Sequence, residues 1–232
     1  MANGNRVVLP GLPHFITQRG RNLAEDGGQR PVFRESVDYR VFLHLLEESF
    51  TRHQVPIWGY SLLSRSYSLV VVPDSPEALC AAIQRLDSEY AHYHNLRHMV
   101  RGQVWNGAFQ SAPMCWSQVW DAIAFLERDA VRQEKLTAAW AHPWSSAAAR
   151  LGRSPKPAWL RFEEWARQFE PTQWQKKLQS TEHEARFNSE LMTALESGSG
   201  LGEMLAVTAP LARKGPQRAE GIRVVKRAAV AG

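Results

Sequence analysis

The densest chemistry in the 232-residue chain lies in Tyr90-Ala91-His92-Tyr93-His94-Asn95-Leu96-Arg97-His98, where imidazoles, phenols and a guanidinium share one short segment. His94 and His98 are four apart, which puts two imidazoles on one helical face, and with His92 they could hold zinc. No cysteine or carboxylate of matching spacing accompanies them, so a solvated basic helix end is the preferred reading. Mixed basic and aromatic residues serve nucleic acid equally well, because cations take phosphates and rings stack on unpaired bases. Arg19, Arg21, Arg65, His94, Arg97, His98, Arg101 and Arg132 are the candidate cationic groups of the body. Tyr93, Trp105 and Phe109 are the candidate stacking rings, and for Trp105 and Phe109 core packing is the slightly favoured alternative.

The charge is unevenly placed. Of the 28 Lys and Arg, six (Arg213, Lys214, Arg218, Arg223, Lys226 and Arg227) fall between Leu211 and Gly232 beside a single acid, Glu220, so the other 210 residues balance at 22 against 22. A neutral body with a basic, Gly- and Pro-punctuated tail fits either an arm for a polyanion or a solubilising terminus.

Composition excludes several classes. With 44% apolar and 22% charged residues, 15 Gly and 13 Pro, the chain is neither collagen-like nor a disordered polymer. Two cysteines, Cys80 and Cys115, make no disulfide framework or tetrahedral metal site, and their apolar neighbours mark both as core. The longest apolar run, around Leu69 to Pro73, is far short of the roughly 18 to 20 residues of a membrane span. The start of the chain lacks a signal peptide's charged-then-apolar layout, and a cytoplasmic location without cofactor is the expectation.

The elements that must position these groups follow from periodicity. Alternation in His14 to Gln18 marks a strand. Val41, Phe42, Leu45, Leu46 and Phe50 recur at helical spacing within Glu35 to His53. Residues 55–64 and 66–73 read as two β-rich runs too close for a crossover, hence antiparallel. Pro76, after a capping Ser75, starts a second helix running toward Asn95. Gln103 to Phe109 reads as a further strand, Trp116 to Leu136 as a third helix, and residues 157–198 as mainly helical. The order is that of an α+β, ferredoxin-like split β-α-β antiparallel sheet with helices on one face and the other face free, plus a helical C-terminal extension and basic tail. Expected divisions are 1–150, 151–198 and 199–232.

Several segments resemble the REP-associated tyrosine transposases, single-tyrosine enzymes of the His-hydrophobic-His class. The resemblance is carried by VLPGLPHFITQRG, FRESVDYRVFLHLL, WGYSLLSRSYSLVVVP, YAHYHNLRH, QVWNGAF, FLERDAVR and AHPWSSA. In order and spacing these cover about residues 6 to 150, and ESGSGLGEML with the basic end resembles the family's C-terminal extension. The resemblance implies binding of palindromes that fold as hairpins and strand cleavage by a tyrosine that becomes linked to a 5′-phosphate. A divalent metal held by paired histidines would polarise that phosphate. A homodimer is implied as well.

The departures fall on the residues of that chemistry. The family's Pro-Asn-His-hydrophobic-His reads Ser64, Arg65, Ser66, Tyr67, Ser68, so both metal-binding histidines are serines, and Arg65 adds a positive charge beside them. The family's Tyr-x-x-x-Asn-Pro-Val-Arg reads Phe125, Leu126, Glu127, Arg128, Asp129, Ala130, Val131, Arg132. Phe125 has no oxygen to attack phosphorus, and Asp129 stands where the family has an Asn. Tyr67, Tyr90 and Tyr93 are the substitute nucleophiles to consider, although strand alternation turns Tyr67 away from Ser66 and Ser68. The expectation is a catalytically inactive, transposase-derived protein without metal that binds hairpin DNA or structured RNA as a regulator or accessory subunit. An active strand-transfer enzyme using displaced residues is the alternative. The Trp-rich extension (Trp159, Trp165, Trp174) suits an extra helical layer or a face for a protein partner.

Overall fold

The computed structural model describes residues 7–21, 31–182 and 184–201. The basic tail lies outside the described residues. Four strands, β1 (His14–Arg19), β2 (Ile57–Leu63), β3 (Ser66–Val71) and β4 (Gln110–Pro113), form one antiparallel sheet in the order β2-β3-β1-β4. With helices α1 (Ser36–Arg52) and α2 (Pro76–Arg97) between them, this is the split β-α-β arrangement.

Local chemistry sets the helix limits. A capping box between Glu35 and Asp38 starts α1, whose Phe42, Leu46 and Phe50 make one buried stripe. Ser75 Oγ accepts from the Ala78 N–H at 3.1 Å and Pro76 occupies the first turn of α2. Its buried residues Leu79, Ala82, Ile83, Leu86, Tyr90 and His94 recur every three or four positions. Cys80 falls off that stripe and is exposed, and Cys115 is half-buried, so neither belongs to the core as expected.

Alternation divides the sheet. On β3, Tyr67 faces α1 and α2, its ring 4.9 Å from Phe42, while its neighbours Ser66 and Ser68 face the opposite side. That opposite side is covered too. Helix α3 (Val119–Glu127) lies against it: a Cβ at Gly59 would stand 3.2 Å from Ile123, and the rings of Phe15 and Phe125 meet edge-on at 6.3 Å.

Two boundaries differ from expectation. The fourth strand is Gln110–Pro113 rather than 103–109, because Gly102 and Gly107 hold left-handed φ and turn the chain either side of Trp105. Trp105 keeps only a single bridge to Gly20, with its indole N–H on the Asp87 carbonyl at 3.0 Å. The third helix is interrupted at Arg128, after which α4 (Asp129–Gln133) continues; the inward Arg128 guanidinium is held by the Leu178 carbonyl and by Glu184 at 2.9 Å.

The later elements are α5 (Ser146–Arg150), α6 (Glu163–Gln168), α7 (Pro171–Gln179) and α8 (Glu184–Ser197). Two of them, α5 and α7, dock through one buried carboxylate. Glu127 accepts from Arg150 Nε at 2.9 Å, from Trp174 Nε1 at 2.9 Å and from Ser146 Oγ, while Arg150 also reaches the Trp58 carbonyl. Both sheet edges are covered: Ser145 and Leu160 bridge β2, and Leu201 bridges Met114 beside β4. No described helix is long and apolar enough to cross a membrane.

Candidate functional site

Ser66, Ser68, Phe125 and Asp129 are distant in sequence, yet the fold gathers them on the α3 side of the sheet. The pleat presents Ser66 and Ser68 to that side, and α3 and α4 bring Phe125 and Asp129 down onto it. The Ser68 hydroxyl favours the ionised form of Asp129, as does Arg132, but burial outweighs both and pushes the carboxyl above its usual range. Arg132 is the centre of the cluster. It pairs with Asp129 and Glu184, and its guanidinium carbon lies 3.6 Å from the centroid of the Phe125 ring. Glu184 also receives Arg128; burial raises its carboxyl, but the hydrogen bonds and charges of Arg132 and Arg128 hold it below normal. Phe187 on the same helix closes over Phe125 at 5.2 Å.

These residues do not fit a divalent cation. Two serine hydroxyls are weak neutral donors, and both nearby carboxylates, Asp129 and Glu184, are already paired with guanidinium groups. Arg132, expected to contact nucleic acid, is committed to this internal network instead. The candidate substitute phenols are equally committed. Tyr67 is fully buried and donates to Asp87 at 2.9 Å, Tyr90 donates to the Val32 carbonyl at 3.0 Å, and Tyr93 donates to Asp38 at 2.9 Å. Burial holds all three phenols above their usual range, followed by neighbouring negative charge for Tyr67 and Tyr90 and by the hydrogen bond to Asp38 for Tyr93.

The other expected residues collect where β1 ends, α1 begins and α2 ends. Arg19 and Arg21 close β1, and Arg65 sits in the β2–β3 turn, its carbonyl accepting the Gly20 N–H at 2.7 Å. His98 is 3.2 Å from Asp38 and Arg97 is 2.9 Å from Glu35. Asp38 is the organiser here, a residue passed over in sequence although its spacing from Glu35 is that of a capping box. Burial pushes its carboxyl up, but the N–H groups of Arg34 and Glu35, the Tyr93 hydroxyl and His98 bring it below the usual range. Trp105 and Phe109 are buried, Trp105 edge-on to Tyr67 at 5.4 Å.

A cavity of about 350 Å³ opens at this end, with Arg21, Arg34, His94, Asn95, Arg101 and Gln103 among its walls. The rings of His94 and His98 are 4.7 Å apart, but among the described residues no group of three His, Cys, Asp or Glu is placed to hold a metal. On the neighbouring side, Asp87 faces a second cavity, of about 560 Å³, shared with Trp105 and Phe109. Burial lifts the Asp87 carboxyl to about 7 against hydrogen bonds from Tyr67 and Gln18.

The architecture is thus that of an α+β sandwich carrying a closed polar cluster on one sheet face and a cationic mouth at one end. Its fold is that of a REP-associated tyrosine transposase solved bound to a REP hairpin, with a TM-score of 0.55 at 12% identity over 68% of this chain and 89% of that one. A candidate transposase from Deinococcus radiodurans R1 is also similar, at 12% identity over 53% of this chain and 95% of that one, with a TM-score of 0.37 that carries no further argument. No family model and no curated protein matches the sequence.

Proposed function

We propose that this chain binds folded, hairpin-forming DNA without cutting it, as a regulator or as an accessory subunit to another protein. The observation that carries this reading is the state of the cluster around Phe125. Where strand transfer would need a phenol and a metal-binding imidazole pair, this chain has a phenyl ring, two serines and a guanidinium locked to Asp129 and Glu184. Nucleic-acid binding needs none of the missing groups, because its affinity comes from phosphate contacts. The cationic end formed by Arg19, Arg21, Arg34 and Arg101 supplies these contacts in the proposal. Residues 1–150 would be the binding domain, 151–198 the extension that braces it, and 199–232 a basic arm. The hairpin complex of the solved transposase of the same fold makes a hairpin the first ligand to try.

The test combines binding with cleavage. Purified protein is incubated with single-stranded DNA hairpins and RNA counterparts, with Mg²⁺ or Mn²⁺ and with chelator, and both retained and covalently linked strands are scored. Selective, salt-sensitive DNA retention that chelator leaves intact, with no linked strand, is the expected result. A metal-dependent adduct overturns it in favour of strand transfer by another residue. Preferential retention of RNA would move the ligand class. Retention that salt does not weaken would favour a protein-interaction scaffold.

A further inference from the structure

His94 is the least satisfied polar side chain of the cationic end. It is 6% exposed, and neither ring nitrogen makes a well-formed hydrogen bond, the Asn95 side chain offering only a weak one. Buried polar groups in native proteins are almost always paired, and an orphan commonly marks an absent water, ion or ligand. His94 lines the 350 Å³ cavity together with Arg21, Arg34 and Arg101. Among the described residues no carboxylate lines that cavity. The described acids nearby are already engaged: Asp38 with Tyr93, His98 and two backbone N–H groups, Glu35 with Arg97. Arg21 spends one N–H on Gln103 at 3.0 Å, and Asn95 spends its amide on the Gly102 carbonyl at 2.9 Å.

We infer that this cavity is a binding site for a phosphate monoester, held by His94, Arg21, Arg34 and Arg101 of its lining. A monoester fits the charge better than an internal diester. Near neutral pH it carries about −1.5 to −2 charges and three peripheral oxygens, where a diester carries one charge. Three planar guanidinium forks and one imidazole donor match those oxygens. Desolvation by burial, then the charges of His98 and Arg34, keep the His94 pKa below its usual value, so the ring enters as a neutral group that donates one N–H. The cavity falls in the size range of small-ligand pockets, which leaves room for the sugar attached to the phosphate. The monoester is either the end of a nucleic-acid strand or a free nucleotide. This inference rests on the proposed nucleic-acid reading only for the first source.

The experiment titrates the full chain with inorganic phosphate while the His94 ring is followed by NMR, its resonance assigned by loss in His94→Gln. Chloride at matched ionic strength is the control. Hairpins with a 5′-phosphate or a 5′-hydroxyl and a nucleoside 5′-monophosphate then compete for the protein. The expected result is a His94 shift with phosphate but not chloride, and a 5′-phosphate gain of roughly ten- to a hundredfold. That gain should disappear in an Arg34→Gln/Arg101→Gln double variant whose melting curve is unchanged. Competition by the monophosphate, with hairpins indifferent to their 5′ ends, assigns the site to free nucleotide. A phosphate-induced shift in a protein that retains no hairpin keeps the site and defeats the hairpin reading. A His94 ring unmoved by phosphate, with no 5′-phosphate gain, overturns the inference.

Discussion

The two arginine-rich regions of this protein differ in who answers their charge. Around Phe125, Arg128 and Arg132 are balanced by Asp129 and Glu184 within the fold. At the end shared by β1, α1 and α2, Arg21, Arg34 and Arg101 line a cavity that has no carboxylate among its described lining residues. Counting arginines does not separate the two, since both carry cations near aromatic rings. A charge neutralised inside the structure does structural work, whereas one left uncompensated at a cavity is held ready for an external anion.

The comparison breaks most readily at the support of the closed region. Glu127 is fully buried and takes donors from Arg150, Ser146 and Trp174, joining α3, α5 and α7. Glu127→Gln leaves the fully buried Arg150 guanidinium without its counter-charge, and such a loss costs about 3–5 kcal/mol. Urea denaturation should show the midpoint falling by that free energy divided by the slope of stability against urea. An unchanged midpoint would mean that the buried pair contributes nothing to holding the extension in place.

Acid sharpens the contrast from another side. His14 is fully buried and held as a single neutral tautomer: Nε2 accepts the Leu9 N–H at 3.0 Å and Nδ1 donates to the Leu12 carbonyl at 2.8 Å. Burial lowers its pKa to about 4 despite the Leu12 hydrogen bond. Its stabilising contribution is therefore complete above the unfolded value of 6.5 and is lost as pH falls toward 4, up to about 3 kcal/mol. Asp87 has the opposite sign. Its carboxyl is raised to about 7, so its contribution is complete below the unfolded value of 3.8 and is lost as pH rises through 7. Stability measured between pH 4 and 7 should decline more steeply toward acid in Asp87→Asn than in the parent, and less steeply in His14→Asn. Parallel curves for all three proteins would exclude these two groups as the source of the pH dependence.

What could be read from the sequence was mainly what repeats. The strand and helix order, the Ser75 cap and the alternation that separates Tyr67 from Ser66 and Ser68 all follow from periods of two and 3.6 residues. The two boundary errors have local causes. The left-handed φ of Gly102 and Gly107 displaces the fourth strand, and Arg128 turns inward where an uninterrupted helix was expected. Long-range polar partners left no periodic trace. Glu127, Arg150 and Trp174 lie 23 and 47 residues apart in their contacts, and Glu184 reaches Arg132 across 52. Arg132 therefore looked like a free cation, and the α3 side of the sheet looked open.

The finest discrimination between the regions is the salt dependence of hairpin binding. Each phosphate neutralised by a protein cation releases condensed counterions, so the slope of log affinity against log salt counts the cations engaged. Arg101→Gln should cost about tenfold in affinity at moderate salt and reduce the slope by about 1. Arg132→Gln removes the same formal charge from the closed cluster, where Asp129 and Glu184 already hold it. It should lower the melting temperature while leaving the slope unchanged, because no phosphate was bound there. A slope reduced in Arg132→Gln as much as in Arg101→Gln would mean that the closed cluster opens on binding and presents Arg132 to the strand. The internal pairing would then be a resting arrangement that DNA exchanges for its own phosphates, rather than a permanent seal over the site.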